Sequence, residues 1–171
     1  MFSVGDFIVY GANGVCKITN IGPMAVPGTL KKKMYYTMTP CYIRDSSIFT
    51  PVDNERVVMR KVMTRDEAVQ FIDEMDDIEH LEIVDDKKRE LEYKQAVLSC
   101  DPATIVGLIK TISKRMSDRT AEGKKLTSSD MKYIHVAEDN LFGELAVSLD
   151  MTKENVKDYV KDHTNASMSN Q

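Results

Sequence analysis

The sequence predicts an α+β chain in which a small β-barrel or curled sheet is followed by an all-α helical part. Three observations carry this. The first 51 residues hold four of the five prolines, five of the eight glycines and seven of the twelve aromatic residues, the turn and strand formers of a compact β unit. The remainder is rich in Glu, Lys, Asp, Ala, Leu and Met, a shift toward helix formers that marks a boundary near residues 60–64. Residues 7–10 (Phe-Ile-Val-Tyr) and 15–21 are β-forming runs separated by Gly11, Ala12, Asn13 and Gly14, which spells a hairpin.

A lone hairpin is marginal in water, so further strands are expected, at residues 34–39, 48–52 and 56–60. Gly22-Pro23 and Pro27-Gly28 mark a turn-rich loop carrying Leu30 and the triplet Lys31, Lys32 and Lys33. Three adjacent lysines fit a nucleic-acid contact, but a charged guard on an edge strand is the better reading. Thr64 with Glu67 forms a capping box for a first helix, whose inner face is Ala68, Phe71, Ile72 and Met75. Residues 73–86 alternate acidic with single apolar residues. They read as a linker packed loosely between the halves, with an acidic lid or phosphate mimic as the alternative.

The second helix spans residues 87–99 with Leu91, Ala96, Val97 and Leu98 as its apolar positions. Asp101-Pro102 starts a third, with Ile105, Ile109, Ile112 and Met116 inside, Val106 and Leu108 widening the face, and Lys114, Arg115 and Arg119 at its C-terminal end, where cations suit the dipole. Thr127 and Asp130 open a fourth, with Met131, Ile134, Leu141, Leu145 and Leu149 as core. A shorter fifth begins at Thr152 and uses Val156, Tyr159 and Val160. The expected division is 1–63 for the barrel, 64–86 for a helix and acidic linker, 87–163 for the helical domain and 164–171 for a disordered tail.

The net charge of −4 hides an uneven distribution. Residues 1–65 carry nine Lys/Arg against four Asp/Glu, residues 66–86 ten acidic residues and no basic one, and residues 87–132 eleven basic against six acidic. A phosphate backbone meets a local field, screened beyond about 10 Å, so an acidic chain can still hold nucleic acid. Cys16, Cys41 and Cys100 form no disulfide framework, and the start has no signal-peptide pattern, so a cytoplasmic, nucleoid-associated protein is expected. No run approaches a membrane span.

Catalytic patterns are missing. His80, His135 and His163 have no metal-ligand spacing, the glycines make no phosphate-cradling loop, and no Gly-x-Ser-x-Gly occurs. His135 reads as a hydrogen-bonded structural histidine, and the paired Asp76 and Asp77 as solvated surface. The expectation is a non-enzyme with no metal or other cofactor, no small-molecule substrate and no membrane partner.

The run Phe2-Ser3-Val4-Gly5-Asp6-Phe7-Ile8-Val9-Tyr10, then Asn13-Gly14-Val15, Ile18 to Ile21, Tyr36, Ile48 and Thr50-Pro51-Val52 resembles the N-terminal domain of CarD-like bacterial transcription regulators. That domain is a small Tudor-like or SH3-like β-barrel related to the polymerase-interaction domain of the transcription-repair coupling factor. Ser99-Cys100-Asp101, Leu126-Thr127 and Phe142-Gly143-Glu144-Leu145-Ala146 resemble the same family's helical DNA-binding domain. The resemblance implies a transcription regulator whose barrel binds the β subunit of RNA polymerase by pairing an edge strand with it. It implies Ile48, Phe49 and Thr50, with Met24 and Lys31 on the neighbouring loop edge, as the contacts. Phe49 and Met24 stand where some relatives carry arginines, so apolar packing takes the place of ion pairing.

The resemblance also implies promoter DNA as a partner of the helical domain. In the family a tryptophan wedges into the minor groove. Here Asp86 stands in its place, leaving Lys87, Lys88, Arg89 and Lys94, and more weakly Lys132, for phosphate contact. The alternative reading is a protein-interaction module that binds polymerase or another partner without touching DNA. A metal-dependent hydrolase using the acidic tract is a remote third.

Overall fold

A computed structural model describes residues 1–25, 27–28 and 32–169, and it has the α+β class expected. Five antiparallel strands, β1 (Phe7–Tyr10), β2 (Val15–Ala25), β3 (Lys32–Pro40), β4 (Ile48–Pro51) and β5 (Met59–Lys61), form one sheet in the order β4-β3-β2-β1-β5. Five helices follow: α1 (Arg65–Glu74), α2 (Arg89–Leu98), α3 (Pro102–Ala121), α4 (Ser128–Leu149) and α5 (Lys153–Ser169). Strands β2 and β3 run longer than their apolar patterns imply, because the hairpin continues through Pro23 and Met24, paired with Met34 and Lys33.

The sheet curls. Ile48 of β4 and Met59 of β5, at opposite ends of the strand order, pack on the same cluster of Ile8, Tyr10, Cys16, Ile18, Tyr36 and Met38. β1 is apolar at every position because both its faces are covered. Ile8 and Tyr10 enter that barrel core, while Val9 joins Val15 and Cys100 in a second cluster flanked by Phe7, Val62 and Val147. The barrel therefore rests directly on the helices.

The contact is polar as well. Arg60 of β5 forms a two-pronged ion pair with Glu144 of α4, at 2.5 and 2.7 Å, and donates from Nε to the Cys100 carbonyl at 2.6 Å. Glu144, buried, also accepts from the Met63 amide at 2.9 Å. Burial works against the charged Arg60 guanidinium, yet the Glu144 carboxylate more than offsets it and holds the arginine's pKa above its ordinary value. Tyr42 donates to the Gly143 carbonyl at 2.9 Å, its ring lying 2.8 Å from where a Cβ on Gly143 would stand. Only glycine fits there.

The helical core is one cluster from α1 to α5. The predicted caps are present: Thr64 and Glu67 form the box, and Asp101 and Thr127 accept from Thr104 and Asp130 amides. Several inward assignments need correction. Leu91 and Leu98 of α2 are exposed, and Tyr93 is buried instead, because its hydroxyl has a partner in Asp130 at 3.0 Å. Met131 of α4 is exposed, with the buried Asp130 and Tyr133 facing in. His135 is exposed rather than a core histidine, since α4 turns it away from the Ile134 and Ala137 stripe.

The acidic linker is not loosely packed. Lys110 donates to the carbonyls of Met75, Asp76 and Ile78 at 2.7–2.9 Å, Thr111 donates to Leu81 O, and the Leu81 amide donates to Gly107 O. Residues 78–85 thus lie strapped along α3. α5 continues to Ser169 instead of giving way to an irregular tail at 164, in a stretch with neither glycine nor proline. The last two residues of the expected tail, like Leu30 and Lys31, lie outside the described residues.

Candidate docking edge and nucleic-acid face

Both margins of the sheet can be followed atom by atom. The Val52 amide donates to Met34 O, so the opposed pairs Tyr36 with Thr50 and Met38 with Ile48 are the hydrogen-bonded ones, and Thr37 with Phe49 is not. The Phe49 N–H and C=O therefore point away from β3, and among the described residues nothing pairs with them. Pro51, next along, has no N–H to offer. On the other margin the Gly11 amide donates to Val58 O and the Val62 amide to Phe7 O, which turns the Lys61 carbonyl outward. Arg60 Nη1 donates to it at 3.1 Å, and the same guanidinium grips Glu144. Arg60 thus covers one outward carbonyl of β5, beside which the Met59 backbone also faces out, while on β4 no side chain of the described residues covers the outward groups of Phe49.

The predicted contact residues divide by role. Phe49 is 51% exposed and shares its face with Thr37, Tyr35 and, through the Met24–Lys33 pair, Met24. Thr50 is 2% exposed and Ile48 packs on the barrel core, so these two hold the strand from inside, with their backbone groups paired to β3. Lys33 is tied to Asp53 at 2.8 Å. Lys31 lies outside the described residues.

In the helical part, Lys87 and Lys88 sit in a short 3₁₀ turn capped by Asp85, which accepts from the Lys87 amide at 3.0 Å. Lys94 follows in the second turn of α2, and all three lysines are exposed. Glu90 accepts from Ser129 at 3.1 Å, which sets the start of α4, with the exposed Lys132 one turn on, beside the start of α2. Lys132 stacks its ammonium over the Tyr133 ring at 4.9 Å. Arg89 differs from the lysines: it is mostly covered, bonded to Asp86 at 2.5–2.7 Å and to the Tyr93 hydroxyl at 3.3 Å. The Arg89 guanidinium holds the Asp86 carboxyl below the usual carboxylate range.

Arg115 was legible in the sequence only as a helix-end cation. It sits instead between Asp86 and Asp130, 3.0 Å from the buried Asp130 carboxylate. A basic residue on α3 and an acid at the third position of α4 give no periodic signal that they meet.

A β unit with an open β4 margin, braced against a helical bundle, has the geometry of an adaptor. The family model of the CarD-like/TRCF RID domain matches residues 2–63, the strands of the sheet and the turns between them. Domains of that family are RNA polymerase-interacting, non-catalytic modules, which supports a polymerase-binding, transcription-associated role. No curated protein matches the chain. No helix among the described residues is long and apolar enough to cross a membrane.

Proposed function

We propose that this protein docks on the β subunit of RNA polymerase by accepting a polymerase strand along the free margin of β4, and so holds its helical part near promoter DNA to modulate initiation. The observation that carries this is the outward, unpaired N–H and C=O of Phe49 on the β4 margin. Strand addition draws affinity from such backbone groups and selectivity from alternate side chains, and the exposed Phe49 ring with Met24 on the same face supplies the latter. Lys31 is assigned with them on the resemblance alone. Lys87, Lys88, Lys94 and Lys132 are the phosphate contacts in this reading, with Arg89 as a support for the turn that presents them.

The test is capture of core polymerase by the full chain and by Phe49→Pro and Phe49→Glu. Proline at this position removes only the outward donor and spares every bond to β3, the situation in which edge strands tolerate it. Both variants should fold, by circular dichroism, and lose polymerase. Retention by a folded Phe49→Pro would sink the docking mode. For the DNA half, a promoter-fragment mobility shift should weaken steeply with salt and in the Lys87→Gln/Lys88→Gln double variant. No shift at low salt would favour the reading without DNA, to which the interleaved Asp85, Asp86 and Glu90 lend weight.

A further inference from the structure

A cleft of about 430 Å³ opens between α3 and the strapped stretch 78–85. Five cations line it, Arg89, Lys114, Arg115, Arg119 and Lys124, against two carboxylates, Asp118 and Glu122. The arginines are already positioned. Arg115 is fixed by buried Asp130, Arg119 donates from Nε and Nη2 to the Lys125 carbonyl at 2.9 and 2.7 Å, and Arg89 is steadied by the Tyr93 hydroxyl. At the rim stands Asp86, its side chain 71% exposed, reaching Arg89 at 2.5 Å and Arg115 at 3.7 Å. The Lys114–Asp118 and Lys124–Glu122 pairs are exposed, and pairs of that kind hold their partners weakly.

We propose that this cleft binds a compact polyphosphate anion, the phosphate tail of a small molecule, in competition with Asp86. A single carboxylate bridging two guanidiniums is what a phosphate group replaces with more charge and more acceptor atoms. Shape and surroundings favour a compact ligand over an extended one. The wall formed by His80, Leu81 and Ile83 belongs to the stretch 66–86, which carries ten carboxylates and no cation. A nucleic-acid backbone running past the mouth meets exposed Glu79 and Glu82, whereas a short anion inside meets chiefly arginine and lysine. The proposal stands apart from polymerase docking, which uses the opposite end of the chain.

The experiment is calorimetric titration of the full chain with sodium tripolyphosphate at low salt with a chelator present. One saturable site is expected. Arg119→Gln and Lys124→Gln should each weaken it, the former about tenfold, as for loss of a charge-assisted contact, while Asp86→Asn, which removes the internal competitor, should tighten it. Arg115 is left intact, because its loss strands Asp130. Absence of saturable binding in both wild type and Asp86→Asn overturns the proposal, as does equal affinity in a folded Arg119→Gln. A short DNA duplex is expected not to displace tripolyphosphate. Displacement that disappears in Arg119→Gln would hand the cleft to nucleic acid and likewise overturn the assignment.

Discussion

Cys16 and Cys41 lie near one another at the end of the β2–β3 pair, yet they differ in exposure. Burial pushes the Cys16 thiol up to about 12, and Cys100, also buried, is raised as well. Cys41 is exposed at its sulfur-bearing residue, although partial desolvation raises it too. The thiolate is the reactive form, so iodoacetamide at mildly alkaline pH should label Cys41 slowly and leave Cys16 and Cys100 untouched until the chain unfolds, as peptide mass spectrometry will read. Rapid labelling of Cys16 in folded protein would contradict the burial. At this scale the sequence was informative about caps and poor about partners. Thr64, Asp101 and Thr127 declare themselves because each cap and the amide it accepts from lie within a turn. Tyr93 and Asp130 meet across 37 residues, and nothing local marks them.

The stripe Tyr93, Ala96, Val97 and Cys100, buried at i, i+3, i+4 and i+7, was available in the sequence, but the aliphatic Leu91 and Leu98 compete with it. Choosing between two stripes on one helix needs the neighbouring helix. The strap over α3 illustrates the same limit for a segment without regular structure: its order comes from Lys110 gathering three carbonyls and from the absence of a side chain at Gly107. A Cβ there would stand 2.9 Å from the Glu79 carbonyl oxygen, which is backbone and cannot swing aside. Gly107→Ala should therefore lift residues 79–81 and cost about 1–3 kcal/mol. Urea denaturation should show the loss, and amide exchange should show faster exchange at Leu81, whose N–H would lose Gly107 O. Unchanged protection there would mean that the strap is held by Lys110 and Thr111 alone. Strand existence was similarly legible while register was not: whether Phe49 faces in or out depends on pairing that only β3 decides.

Across the whole molecule the pair Arg60–Glu144, 84 residues apart, joins the sheet to the helices. Glu144→Gln keeps the shape and removes the counter-charge of a largely covered guanidinium, which should cost about 3 kcal/mol and reduce the denaturation midpoint. Small-angle scattering should then report a wider spread of dimensions; an unchanged profile and midpoint would mean that apolar contact alone sets the arrangement. The acidic limb of the stability profile has a clear sign. Asp6, Asp53, Glu67 and Asp86 all have pKa values below their ordinary ones, so their contribution is present above the unfolded carboxylate range, about pH 4, and is lost as pH falls through the lower folded values. The double covering of β1 reaches further than packing. Phe7, Val9 and Val15 are shielded by residues translated some hundred positions later, so a nascent or truncated barrel ending near residue 63 would present a greasy flank to solvent. Such a fragment should clump or recruit chaperones, and fishing for partners with it would report stickiness where the 171-residue chain reports recognition.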